Sequence, residues 1–186
     1  MHLKLTCGFK DLNKKNREVN YKIFILIGIL GGVPFFGLSQ NSIEEAIEKY
    51  NSNTVDYISV EELASLLKTN KNVKLLDARE PSEYAISHLQ NAIFVGYDNF
   101  ERSSIQDQIQ LQDTLVVYCS IGVRSEKIGE KLKKAGYKNI YNLYGGMFEW
   151  FNKGYQIYDH ENKNTQKIHA YDRFWGKFLE RGQKVY

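Results

Sequence analysis

The sequence predicts an α/β fold in which helices flank both faces of a central parallel β-sheet. Runs of apolar and β-branched residues alternate along the chain with segments whose apolar residues recur at helical spacing, which is typical of parallel sheets. Two of these runs, VKLLDA at 73–78 and LVVYC at 115–119, are largely apolar, as expected of strands covered on both faces. The 186 residues are enough for one such domain with appended segments.

Five strands are predicted, each from a short run of this kind. They lie at 55–58, 73–78, 92–95, 115–119 and 139–143. The run that ends at Cys119 is the candidate for the central strand.

Five helices are predicted between and around the strands, and several have recognisable ends. Ser59 and Glu62 form a capping box, Pro81 suits a first helical turn, and Gly136 is a typical stop. A polar stretch at 98–110 is only weakly helical. The helices lie at about 42–50, 60–67, 81–89, 125–135 and 145–154.

The first 39 residues are predicted to be a secretory signal peptide. A basic stretch precedes an apolar block at 23–38, which at 16 residues is shorter than a comfortable membrane crossing. Gly37 and Ser39 are small residues placed for a cut before Gln40. The protein is therefore expected to be exported, most simply to the periplasm. An uncleaved membrane anchor at 23–38 is the alternative, with the domain outside the cytoplasm.

The chain is divided by these patterns into four segments. They are the signal peptide or anchor at 1–39, a helical lead-in at 40–54, the main domain at 55–156 and a C-terminal extension at 157–186. Apolar residues in the extension fall on one helical face, which predicts an amphipathic helix docked on the domain. A helix for a partner or membrane surface is the alternative. The residues are Tyr171, Phe174, Trp175, Phe178 and Leu179.

Charge and cysteine content exclude several classes of function. Residues 1–40 carry six cationic and two acidic side chains, a net charge of +4, whereas the whole chain has a net charge of +3. Residues 41–186 therefore have a net charge of −1 and are nearly neutral. No basic stripe suggests a nucleic-acid partner. Cys7 and Cys119 form no CxxC pair, and the four histidines are scattered, so neither a disulfide framework nor a metal site is indicated.

The segment after Cys119 is where chemistry is predicted. Ligands of open α/β sheets bind beyond the carboxyl ends of the strands, and Cys119 lies at such an end. Gly122 permits a tight turn whose N–H groups face inward, and Arg124 and Ser125 open a helix. Inward amides, a helix N-terminus and a guanidinium all favour a thiolate, and an anion partner is expected for Arg124. A buried structural cysteine is the alternative.

Three neighbouring residues have mainly structural interpretations. Asp77 and Arg79 follow a strand and either support the loop or form a buried ion pair, in which Arg79 could bond Glu83. His88 is expected to pack or hydrogen-bond rather than act as a catalytic base, because a thiolate stabilised by the loop needs no base.

Three motifs together resemble the rhodanese-like sulfurtransferases, over about residues 55–155. Residues 75–95 (LLDAREPSEYAISHLQNAIFV), 116–125 (VVYCSIGVRS) and 136–150 (GYKNIYNLYGGMFEW) are similar to the family's D-x-R, active-loop and closing segments. The chain would be a single-domain, exported member with a rhodanese-like fold.

The resemblance implies a persulfide mechanism without a cofactor or metal. Cys119 would take a sulfane sulfur from a small sulfur-containing anion, such as thiosulfate, or from a persulfide, and a thiol or cyanide would accept it. The loop N–H groups of Ser120 to Ser125 would stabilise the persulfide anion, and Arg124 would orient the donor's sulfonate. The substrate-binding residues would be Ser120, Ile121, Gly122, Val123, Arg124 and Ser125.

Two alternatives to sulfur transfer stay open. A non-catalytic or redox-sensing module of the same family is one, although such modules commonly lack the cysteine. A phosphatase or arsenate reductase is the other, but those relatives have five residues between Cys and Arg, whereas four lie between Cys119 and Arg124. Ser120, Ile121 and Val123 are small or apolar where many relatives carry a cation or polar side chain, which weakens the case for thiosulfate and leaves a less charged donor or a protein persulfide as alternatives.

Overall fold

A computed structural model describes residues 42–69 and 72–186. The predicted signal peptide at 1–39, the apolar block at 23–38 and Cys7 lie outside the described residues. Within the two described ranges, no helix combines the length and the apolar character that a membrane crossing needs.

A five-stranded parallel sheet forms the centre of the domain, as predicted. Its strands are β1 (Asp56–Ile58), β2 (Val73–Asp77), β3 (Ile93–Phe94), β4 (Thr114–Tyr118) and β5 (Ile140–Leu143). They are ordered β1-β5-β4-β2-β3, and every neighbouring pair is parallel. The strand before Cys119 is therefore the central one, also as predicted.

Among the residues that the structure describes, five α-helices flank the sheet. They are α1 (Ile43–Tyr50), α2 (Val60–Thr69), α3 (Pro81–Ile86), α4 (Val123–Lys134) and α5 (Gly146–Asn152). The predicted capping box is present before α2, where the Ser59 amide donates to Glu62 Oε2 at 2.9 Å and the Glu62 amide donates to Ser59 Oγ at 3.2 Å. The polar stretch at 98–110 contains only a short 3₁₀ helix, Arg102–Ser104.

Two apolar cores lie on opposite faces of the sheet, and β4 contributes to both. Val116 and Tyr118 belong to the core that also contains α5 and part of the extension, whereas Val117 belongs to the core under α4. This double coverage explains why the strand sequence is apolar without alternation.

The prediction of an amphipathic helix in the extension is wrong. The chain after α5 forms β6 (Ile157–Tyr158), β7 (Asn164–Thr165), β8 (Lys167–His169), a 3₁₀ helix (Trp175–Phe178) and β9 (Gln183–Val185). Strand β8 pairs with β9 in parallel, and β6 pairs with β7 antiparallel. Phe178 and Leu179 are buried as the apolar spacing indicated, but Tyr171 and Gly182 have positive φ angles, which no α-helix accommodates.

Candidate active site

Cys119 lies directly after the central strand, at the carboxyl edge of the sheet. Its sulfur accepts a hydrogen bond from the Gly122 amide at 3.2 Å, and Gly122 adopts a φ of 107° that favours glycine. The turn begins α4 at Val123, two residues earlier than predicted. The side chain is buried, with 1% of Cys119 exposed.

A pair of glycines brings α5 against the back of this loop. The α5 amides of Met147 and Phe148 donate to the carbonyl oxygens of Cys119 (2.8 Å) and Ser120 (3.0 Å). Gly146 has a φ of 55°, and a Cβ there would overlap the Cys119 carbonyl oxygen. Because only glycine allows this approach, the closing Gly-Gly motif is part of the loop's support.

A buried polar network fixes the other side of the loop. Ser125 Oγ donates to Asn142 Oδ1 at 2.7 Å, and Asn142 Nδ2 donates to the Gly122 carbonyl at 2.8 Å. Ser125 Oγ also lies 3.5 Å from the Cys119 sulfur. A hydroxyl has one proton, and the shorter distance favours Asn142 as its acceptor. Asn142 was not predicted from the sequence; its signal was a polar residue inside an otherwise apolar strand.

The anion expected beside Arg124 is one of the protein's own carboxylates. Arg124 Nη1 and Nη2 each lie 2.7 Å from an oxygen of Glu83, which forms a forked pair. Ser120 Oγ donates to Glu83 Oε1 at 2.9 Å and accepts from Arg124 Nη2 at 3.0 Å. Burial alone would raise the pKa of Glu83, but the hydrogen bonds and charge of Arg124 outweigh it and lower that pKa to about 2.

Asp77 and Arg79 form a separate, fully buried pair. Arg79 Nη2 lies 2.7 Å from Asp77 Oδ2, and the same nitrogen donates to the Ser87 carbonyl at 2.6 Å. The expected alternative partner of Arg79, Glu83, bonds Arg124 instead. The pair thus links the end of β2 to the end of α3, the helix that carries Glu83.

The pKa of the Cys119 thiol is lowered, although burial opposes this. The charge of Arg124 is the largest favourable cause, followed by the hydroxyl and amide of Ser125 and the amide of Gly122. A larger fraction of this sulfur is therefore ionised at neutral pH than in an ordinary cysteine.

A cavity of about 140 Å³ lies beside the sulfur. Two of its walls come from the extension, through Tyr171 and Trp175, which the sequence did not predict as site residues. His88 lies away from the cavity lining and stacks on Tyr84 with ring centroids 4.2 Å apart, a packing role as expected. The lining residues are Cys119, Ser120, Ile121, Val123, Arg124, Tyr171 and Trp175.

Comparison with known proteins agrees with this geometry. A family model described as "Rhodanese-like domain" matches residues 59–153. A tRNA uridine(34) hydroxylase of Photorhabdus laumondii is 33% identical over 106 residues, which are 55% of this chain and 30% of that protein. A candidate sulfur carrier protein of Bacillus subtilis, YrkF, is 26% identical over 103 residues, 55% of each chain. The chain thus spans about a third to a half of the length of these curated relatives.

Solved structures share the fold. A thiosulfate sulfurtransferase of Pseudomonas aeruginosa superimposes with a TM-score of 0.52 at 21% identity, over 67% of this chain and 23% of that one. The rhodanese-like domain of an Anabaena protein superimposes with a TM-score of 0.51 at 19% identity, over 55% of this chain and 78% of that one. At these identities the likeness establishes the α/β architecture alone.

Proposed function

The chain belongs to the family of rhodanese-like domains, and on that premise we propose that it is a sulfurtransferase whose carrier is a persulfide on Cys119. The observation that carries the proposal is the environment of the Cys119 sulfur. The sulfur accepts a hydrogen bond from the Gly122 amide and adjoins a cavity. Burial opposes ionisation, but other influences, chiefly the charge of Arg124, lower the pKa of the thiol overall. A lowered thiol pKa increases the fraction of thiolate, which is the nucleophilic form of cysteine.

The proposed reaction has two displacements. The Cys119 thiolate attacks the outer sulfur of a donor such as thiosulfate, the donor's S–S bond breaks, and sulfite leaves with the bonding electrons. An acceptor thiolate then attacks the terminal sulfur of Cys119–S–S⁻. The acceptor becomes a persulfide, or thiocyanate when it is cyanide, and the Cys119 thiolate returns.

The decisive experiment is intact mass spectrometry of the purified protein after incubation with a sulfane donor. We expect a mass gain of one sulfur atom, its removal by cyanide, and no gain in a Cys119→Ser variant. No gain with thiosulfate, a thiosulfonate or an organic persulfide would overturn the proposal. A stable gain that no acceptor removes would favour a sensing module, and turnover of p-nitrophenyl phosphate would favour a phosphatase.

The activity named for the hydroxylase relatives is not extended to this chain. Those names describe whole proteins, and the chain matches 30% of the length of one of them. Residues 41–186 are nearly neutral overall, which gives no further reason to assign a tRNA substrate to this chain.

The proposed location is outside the cytoplasm. It rests on the basic stretch, short apolar block and small residues before Gln40. Amino-terminal sequencing of the protein from a fractionated cell tests it. A mature chain beginning at Gln40 is the expected result, and an intact chain in the cytoplasmic fraction would contradict it.

A further inference from the structure

The outer wall of the Cys119 cavity is a built part of the structure. Tyr171 has a φ of 65°, a conformation that bulky residues seldom adopt, and its amide donates to His169 Nδ1 at 3.0 Å. The Trp175 amide donates to Asp172 Oδ1 at 2.8 Å, and the Trp175 ring packs edge-on against Tyr50. Strained backbone held by specific partners at a reactive site points to a functional role for the side chains it positions.

The guanidinium of Arg124 is already engaged by the protein's own carboxylates. Both terminal nitrogens of Arg124 bond Glu83, and Glu80 lies 4.0 Å from one of them. The Tyr171 ring covers the guanidinium, with 5.0 Å between its centroid and Arg124 Cζ. A doubly charged anion such as thiosulfate would therefore meet a paired arginine beside two carboxylates, and would gain little from it.

Most of the remaining lining is apolar, and the cavity is of limited size. Ile121 and Val123 from the loop face the same cavity as Tyr171 and Trp175. Its volume of about 140 Å³ is close to that of an engineered apolar protein cavity of about 150 Å³ that binds benzene. The space beside the sulfur thus suits one ring or an alkyl group of similar size.

We infer that Tyr171 and Trp175 make this site selective for organic sulfane donors, in which an aryl or alkyl group adjoins a singly charged or neutral sulfur-bearing head. The inference rests on the proposed sulfur transfer and names its substrate class. With a thiosulfonate, the Cys119 thiolate attacks the outer sulfur and the S–S bond breaks. The sulfinate leaves with the electron pair, so one negative charge enters and one departs.

The test compares three donors under one assay, the second-order rate of Cys119 persulfide formation. Benzenethiosulfonate and methanethiosulfonate share charge and reacting atoms and differ only in the apolar group, whereas thiosulfate carries a second charge. We expect benzenethiosulfonate to react about tenfold faster than methanethiosulfonate, the size of discrimination that an apolar pocket gives. Thiosulfate should be the slowest of the three.

Two variants and one matched control assign the selectivity to the wall. Trp175→Ala and Tyr171→Asn should bring the ratio of the benzenethiosulfonate rate to the methanethiosulfonate rate close to one. Asparagine is chosen at position 171 because it tolerates the backbone conformation there. Phe94→Ala removes an exposed aromatic side chain of β3 that does not line the cavity. Its ratio should equal that of the unmodified protein, with folding checked by thermal unfolding for all three.

The outcomes separate this inference from the proposed function. Persulfide formation with equal rates for the two thiosulfonates, or with thiosulfate fastest, would overturn the selectivity and leave sulfur transfer standing. An unchanged ratio in Trp175→Ala and Tyr171→Asn would also overturn it. No persulfide from any of the three donors would overturn the proposed function itself.

Discussion

Two buried arginine–carboxylate pairs lie near the candidate site, and their surroundings differ. The side chains of Arg79 and Asp77 are both 0% exposed, whereas Arg124 is 16% exposed and its partner Glu83 is 1% exposed. Arg79 reaches only protein groups, but Arg124 also lines the cavity and lowers the pKa of Cys119. The sealed pair therefore serves the fold, and the pair at the cavity serves both the fold and the chemistry.

The largest expected effect comes from breaking the sealed pair. Arg79→Leu leaves the Asp77 carboxylate buried without its cation, so the free energy of unfolding should fall by about 3–5 kcal/mol. Urea denaturation measures it. Lys127→Ala is the control, because it removes the partly exposed ion pair with Glu130 and should change stability by about 0–1 kcal/mol. Equal losses of unfolding free energy in Arg79→Leu and Lys127→Ala would contradict the difference expected between a buried and a partly exposed ion pair.

The second expected effect is a dependence of stability on pH that originates at Glu83. Its pKa is about 2 in the folded chain against 4.5 ordinarily, so the ionised group stabilises the fold above pH 4.5. That contribution should be lost as the pH falls from 4.5 towards 2, and it amounts to at most about 3 kcal/mol.

Urea unfolding at a series of pH values checks this, with Glu83→Gln as the comparison. The variant should lack the part of the acid slope that Glu83 contributes. Parallel slopes for the two proteins over that range would show that Glu83 is not its source.

A smaller effect is expected when the cavity pair loses its cation. Arg124→Gln removes the largest favourable influence on the Cys119 thiolate, so the pKa of that thiol should rise. A thiol whose pKa lies above neutrality loses about tenfold in thiolate fraction per unit of rise, but the remaining thiolate is more nucleophilic, so persulfide formation should slow about threefold per unit. Alkylation by iodoacetamide as a function of pH measures the thiol pKa, and Arg124→Lys, which keeps the charge, should shift it less. An unchanged alkylation profile in Arg124→Gln would refute the role.

The smallest expected effect concerns the hydroxyl of Ser125. It lies 3.5 Å from the sulfur but 2.7 Å from Asn142 Oδ1, so its bond to the thiolate is weak in this geometry. Ser125→Ala should slow persulfide formation by about twofold. A loss as large as that of Arg124→Gln would mean that the hydroxyl turns to the sulfur during the reaction.

The loop and the sheet were predictable because their signals are local. The apolar run before Cys119 marks a doubly covered strand, and Gly122 marks the turn that the structure contains. The glycine pair at 145 and 146 was predicted only as a helix start. The hydrogen bonds of the following α5 amides to the loop carbonyls join residues 28 positions apart in the sequence, and periodicity does not encode such a contact.

The partners of the site were less predictable, since they come from distant parts of the chain. Glu83 is 41 residues from Arg124, and its nearer candidate, Arg79, proved to bond Asp77. The aromatic residues of the extension were assigned to a helix because their spacing matches a helical face. The chain is not helical there, because β8 pairs with β9 and Tyr171 has a positive φ angle. Tyr171 and Trp175 reach the cavity as a result.

Cys119 is the one cysteine within residues 42–69 and 72–186, and it is unpaired. A thiolate that peroxide reaches becomes a sulfenic acid, which a neighbouring thiol would normally resolve into a disulfide. In the described part of the chain no such neighbour exists, so the thiol that reverses this oxidation has to come from outside those residues. Under the proposed sulfur transfer, the acceptor that discharges the Cys119 persulfide belongs to the same chemical class, so one supply of thiols would serve both turnover and repair.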